Sequence, residues 1–180
     1  MMAPKRRHLI LLLLLPLLGL AACSGSDDET PDGWERVEAG PLSIAIPPDW
    51  TEAEPDTEGG YLWRSEEIDG AAMGGLEVLV AETSGQSAEK NAKSVAISAM
   101  ATMQTGKVEP EQFELDGAVD AWLVEFEATM AGPDGVEAER SLRVLVAEFD
   151  DGSQARVTAI GEPGSDVADQ VIDSVEVSTD

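Results

Sequence analysis

Between residues 107 and 160 apolar and polar side chains alternate in long runs, interrupted by three Asp-Gly pairs, Asp116-Gly117, Asp134-Gly135 and Asp151-Gly152. Asp-Gly tolerates the positive φ of tight hairpin turns, and period-two alternation buries one face of a strand, so this half of the chain reads as an antiparallel meander. The predicted strands are Lys107 to Leu115, Ala118 to Met130, Val136 to Phe149 and Gln154 to Ile160. Trp122, Val124 and Phe126 share one face of the longest, and Glu125 and Glu127 the other. Arg140 and Arg143 on the next strand are expected to pair with those acids across the exposed face, at about 0.2–1 kcal/mol per pair. Calcium ligation is the alternative use of Asp-Gly, but these pairs are too widely spaced to gather the clustered oxygens calcium requires.

Upstream, Trp34 to Glu38 and Leu42 to Ile46 flank Gly40-Pro41 as a hairpin, which Pro47-Pro48 ends because neither proline can donate to a ladder. Trp50 follows where the chain turns away. Tyr61 to Glu66 and Leu76 to Thr83 form a second strand pair, joined by the small-residue stretch from Ile68 to Gly75. Met73 in that stretch is either a ligand entrance or a hairpin tip. A helix is predicted over Ser87 to Met103, with Ser87 as N-cap and Ala88, Ala92, Val95, Ala96, Ala99, Met100 and Met103 as its apolar stripe. The methionines of that stripe are expected in the core. A short closing helix covers Ser165 to Ser174, after which Val175 and Val177 either continue it or add an edge strand.

The first 22 residues have a different character. Lys5, Arg6, Arg7 and His8 precede an apolar run from Leu9 to Leu20, and Leu20-Ala21-Ala22-Cys23 looks like the lipobox of a bacterial lipoprotein precursor. The run is too short for the ~20 apolar residues that cross a bilayer. Cys23 is the only cysteine, so no disulfide competes for its thiol. The expected organisation is a signal peptide over residues 1–22, a lipidated Cys23 followed by a polar, acidic tether to residue 33, and a single domain over 34–180. The lipobox resemblance implies diacylglycerol and palmitate on Cys23, exposing the domain on the extracytoplasmic face of the cell membrane. Two or more acyl chains hold a protein durably where one does not.

Charge and residue types then exclude whole classes of function. With Lys5, Arg6 and Arg7 removed, 8 basic residues stand against 36 acidic ones, a net charge of −28. Such a surface excludes nucleic acid, whose affinity rests on Lys and Arg neutralising phosphates. His8 is the sole histidine and leaves with the leader, so the mature chain has no Ser-His-Asp or Cys-His system and no zinc site built on His or Cys. Carboxylate-only hydrolysis would need two carboxyl groups facing each other across a cleft. No catalytic residue, metal ligand or cofactor is expected.

Leu42-Ser43-Ile44-Ala45-Ile46-Pro47-Pro48-Asp49-Trp50, a helix after about four strands, and a closing helix ending in Val171-Ile172-Asp173-Ser174-Val175 together resemble the PsbP-like family. Within it, they resemble the LpqN-type lipoproteins of actinobacteria. The resemblance covers nearly the whole mature chain and implies an α+β fold, an antiparallel sheet covered by helices as an α/β/α sandwich. It further implies a non-enzymatic envelope binding or adaptor module whose partner is an envelope protein or an amphipathic lipid. The histidines that plant members use for metal are absent here. An acidic cation-binding surface lipoprotein is the alternative function. Trp50, Tyr61, Trp63 and Met73 are candidates for a binding surface, since aromatics and Met are enriched in such patches; the competing reading puts Trp50 and Trp63 in the core.

Overall fold

The computed structural model describes residues 30–178 except 69–70, 73, 82–84, 104 and 132–136, and gives only the backbone of 67–68 and 71–72. Fourteen elements occur in it. In chain order they are β1 (Glu35–Ala39), β2 (Leu42–Ile46), β3 (Thr51–Glu52), β4 (Gly60–Arg64), β5 (Glu67–Ile68), β6 (Ala71–Ala72), β7 (Gly75–Ala81), α1 (Ala88–Thr102), β8 (Glu111–Gln112), β9 (Asp120–Ala131), β10 (Glu137–Glu148), β11 (Gln154–Gly161), α2 (Val167–Asp173) and β12 (Glu176–Val177).

The meander expected from the Asp-Gly spacing forms the centre of a seven-stranded antiparallel sheet, in the order β3-β4-β7-β11-β10-β9-β8. Gly117 and Gly152 take φ of 87° and 80°, as tight turns require of the second residue of Asp-Gly. At the second of these turns the Ser153 hydroxyl and N–H hydrogen-bond Asp151 and hold its carboxyl below the usual carboxylate range. Asp134-Gly135 lies outside the described residues. The strand expected over Lys107 to Leu115 contracts to the two residues of β8. It pairs with the outer edge of β9, where Glu111, Gln112 and Glu114 are exposed and little apolar surface rewards a longer ladder.

Strand parity sorts the sheet's side chains into two cores. Leu145, Ala147, Val157, Ala159, Leu76, Val78 and Trp63 face one side; Val124, Phe126, Leu142, Val144 and Val146 face the other. The first side is covered by α2 and by a separate three-stranded sheet, β1-β2-β12, and the second by α1. The fold is α+β with helices on both faces of an antiparallel sheet. One layer is shared between α2 and the small sheet, which the hairpin expected at residues 34–46 builds together with β12. Val177 therefore extends an edge strand and not the closing helix.

Ser174, 2% exposed, fastens that layer. Its Oγ accepts the N–H of Ala45 in β2 at 2.9 Å and donates to the Val171 carbonyl of α2 at 2.8 Å. Arg36 of β1 adds an ion pair to Glu176 of β12 at 2.6 Å. Parity also corrects the arginine expectation. Arg143 stands opposite Glu125 and makes ion pairs with it at 2.8 Å and with Asp169 of α2 at 2.5 Å. Arg140, three residues away along a strand of period two, falls on the opposite face and is 6% exposed.

The small-residue stretch before β7 has a packing cause at Gly74. A Cβ there would lie 2.8 Å from the Trp50 ring and 3.0 Å from the Ile160 carbonyl oxygen. Gly74→Ala is expected to lower stability by about 1–3 kcal/mol through overpacking. Ser174→Ala should lower it by a similar ~1–3 kcal/mol, because the Ala45 N–H is left buried without an acceptor. Urea unfolding monitored by tryptophan fluorescence reads both, as a lower midpoint at unchanged slope.

Candidate functional site

Of the residues proposed from sequence as a binding surface, Trp50 and Trp63 are 8% and 7% exposed and belong to the core under the small sheet and α2. Tyr61, half-buried, stacks on Trp63 with ring centroids 6.4 Å apart and planes 5° from parallel. The two tryptophans are thus internal packing, in agreement with their core reading, and Tyr61 lies half-buried beside them. Met73 and Cys23 lie outside the described residues.

An opening suited to a ligand lies on the other face of the sheet. α1 begins at Ser87, whose hydroxyl accepts from the Lys90 N–H, and Glu148 of β10 accepts from Ala88 N at 3.0 Å, which anchors the helix start over β10. Its buried side chains are Ala88, Ala92, Ala96 and Ala99, and they sit on β9 and β10. The sheet continues beyond β10 to β11 and β7. There Arg156, Thr158 and Leu79 project on the same face as Val146 and Val144, beyond the helix. The step between the helix flank and the uncovered strands is a groove of about 540 Å³, within the ~300–1,000 Å³ range of small-molecule pockets.

The groove has two ends of different character. Val144, Val146, Leu142 and Phe126 make the floor, and Val95, Ala99 and Met103 the lower wall. Asn91, Ser94, Ser98 and Thr102 form the upper flank of α1. Ser94 and Thr102 donate to carbonyls one turn back, of Lys90 and Ser98, so their hydroxyl protons are already used within the helix. At the helix N-terminal end, Asn91 donates to Gln154 at 2.6 Å, and Gln154 donates to the Gln86 carbonyl at 2.6 Å and to Glu148 at 3.1 Å. Arg156 stands beside that polar end. At the other end Met103, Phe126 and Leu142 leave the groove apolar. Met100 and Met103, expected in the core, are 37% and 36% exposed. The helix presents them at its margin because alanines take the centre of its footprint.

The groove's charge pattern departs from the rest of the chain. Thirty-six of 180 residues are acidic, yet among the described residues lining the groove there is no Asp or Glu, and Arg156 is the one basic side chain. Among the described residues Arg156 has no hydrogen-bond or ion-pair partner, whereas Arg36, Lys93, Lys107 and Arg143 are each paired with a carboxylate. The signal is present in the sequence as three acid-free stretches, residues 90–108, 140–147 and 152–161, which the fold lays side by side. It is invisible to a search for motifs or aromatics, which is why these residues escape one. No three His, Cys, Asp or Glu side chains come together as a metal-binding group among the described residues.

Arg156→Gln removes an exposed, unpartnered side chain, and stability is expected to stay within about 0.5 kcal/mol of the parent in the same urea titration. Arg143→Gln, in contrast, removes ion pairs to both Glu125 and Asp169, and is expected to destabilise by about 1 kcal/mol, less in high salt.

No protein-family model matches the sequence, and no curated protein matches it. Solved structures do match. PsbP of the cyanobacterium Synechocystis sp. PCC 6803 is similar at TM-score 0.54 and 13% identity, over 88% of this chain and 99% of that one. LpqN of Mycobacterium tuberculosis, described as involved in cell envelope biogenesis, superposes with TM-score 0.49 at 12% identity, over 81% of this chain and 91% of that one. The Ran-binding protein Mog1p of Saccharomyces cerevisiae gives 0.45 at 18%, over 81% and 85%. The likeness to the cyanobacterial protein shows a PsbP-like fold, and at this identity it shows the fold alone.

Proposed function

We propose that this chain is a lipid-anchored, non-enzymatic module of the cell envelope that binds an envelope protein or an amphipathic lipid through the groove between α1 and the uncovered strands. The observation that carries the reading is the groove itself: an apolar floor with one polar end, free of acidic side chains among its described lining, in a protein that is acidic almost everywhere else. Apolar pockets with a few convergent polar groups are the usual form of ligand sites. The anchor is the second support. Cys23 in its lipobox-like setting lies seven residues before Thr30, where the described structure begins, and seven residues reach at most about 25 Å, which would keep the groove within a few nanometres of the bilayer. The lack of His and of any other Cys in the mature sequence supports binding over catalysis.

Two measurements test this reading. Cys23→Ser should move the protein from the membrane fraction to the soluble fraction. A photocrosslinking residue at Ser98, on the groove flank, should capture envelope lipid or protein in native membranes, while one at Glu127, on the opposite sheet face, should not. Equal capture at the two positions, or none above an unrelated acidic lipoprotein, would sink the proposal.

A further inference from the structure

Resting on that reading of the groove, we infer that its occupant is a single-chain, monoanionic amphiphile, a long-chain carboxylate, with its head on Arg156 and its tail running under α1 toward Met103. Three observations argue for this chemistry.

The first is shape. From Asn91 to Met103 the groove follows twelve residue-to-residue steps of helix and its continuation, about 18 Å at 1.5 Å per step. A volume of 540 Å³ spread over that length leaves a cross-section of about 30 Å², room for one alkyl chain and not for a pair. The second is polarity, which changes once along the length. At one end Arg156 and the second amide N–H of Asn91 can donate to a polar head, while the Met103, Phe126 and Leu142 end is mostly apolar and adds an adaptable thioether.

The third is charge. Arg156 stands directly opposite Val146 and Leu79; Glu148 of β10 and Glu77 of β7 occupy diagonal positions on the same face, and among the described residues neither forms an ion pair with it. A guanidinium without a carboxylate partner, beside a floor that excludes water once filled, favours a planar anion that it can bind with two parallel hydrogen bonds. Among the described residues one cation lines the groove, which suits one negative charge and not the nearly double charge of a phosphate monoester. A cationic head would forfeit all of this, since no carboxylate lines the groove among the described residues.

Isothermal titration of the purified full chain with sodium dodecanoate and with dodecyl maltoside, both below their micellar concentrations, tests the inference. Dodecanoate should bind at one per chain and at least tenfold more tightly than the neutral maltoside. Arg156→Gln should weaken dodecanoate at least tenfold and leave the maltoside unchanged. Lys90→Gln, which removes an equal charge from the outer surface of α1, should change neither, and Ser98→Trp, which fills the groove from an exposed helix position, should abolish both. Equal affinity for the two heads, or full dodecanoate affinity in Arg156→Gln, overturns the head assignment while the groove remains a binding site. Absence of binding by either amphiphile overturns the lipid occupant, and crosslinking at Ser98 then decides separately whether an envelope protein takes its place.

Discussion

A strand that is apolar on both faces needs a layer on each side, and β10 is such a strand. Leu145 and Ala147 point into one core while Leu142, Val144 and Val146 point into the other, and all five are buried. Burying each of the larger side chains is worth about 1.5–3 kcal/mol, so neither face can be left to water. The chain answers with two unequal covers. One face receives α2 and the small sheet, wide enough to cover β10, β11, β7 and β4; the other receives the single helix α1, anchored over β10 by Glu148 and the Gln154 network.

The unequal cover explains the groove. A helix that buries only alanines lies close to its sheet and reaches little to either side, and the flank of α1 over β11 carries Asn91, Ser94, Ser98 and Thr102 in place of large apolar residues that would overhang Leu79 and Arg156. The groove is therefore a consequence of side-chain size along one helix face. Leucines at 94 and 98 would close it at no cost in helix propensity, since Leu forms helix better than Ser. Filling the space would be easy for the fold, so the small polar flank is a feature that stability alone does not call for.

The parts of this architecture set by periodicity and turn chemistry are legible in the sequence. The β9 to β11 meander, the β1–β2 hairpin and α1 with its Ser87 cap all come close to their expected bounds. What periodicity cannot show is which sheet a hairpin joins, because β1–β2 would alternate in the same way at the edge of the large sheet as in a sheet of its own. The faces of the two arginines follow from parity: three residues along a strand reverse the face, so Arg140 and Arg143 do not share one surface. Trp50 and Trp63 are aromatic, yet aromatic content does not distinguish a binding patch from a core seat. The Gly74 contact shows that Trp50 is a core seat. The groove residues are dispersed over 79–158 and share no motif. Only the fold brings their acid-free stretches together.

The net charge of −25 bears on this site less than its size suggests. At physiological ionic strength charges are screened over about 8 Å, so an anion at Arg156 responds to the residues around it and only weakly to acids on the far side of the molecule. Within that radius the strands contribute Val146, Leu79 and Thr158 together with two carboxylates at diagonal positions, Glu77 and Glu148, the latter accepting hydrogen bonds from Ala88 N and Gln154. Remote acids still matter in one respect. They lower the local concentration of anions approaching from solution, a penalty on association from bulk water that shrinks for an amphiphile delivered from an adjacent bilayer. A site for an anion on an acidic protein is thus most effective when the protein is held at a membrane, so the anchor proposed at Cys23 and the occupant proposed for the groove support one another.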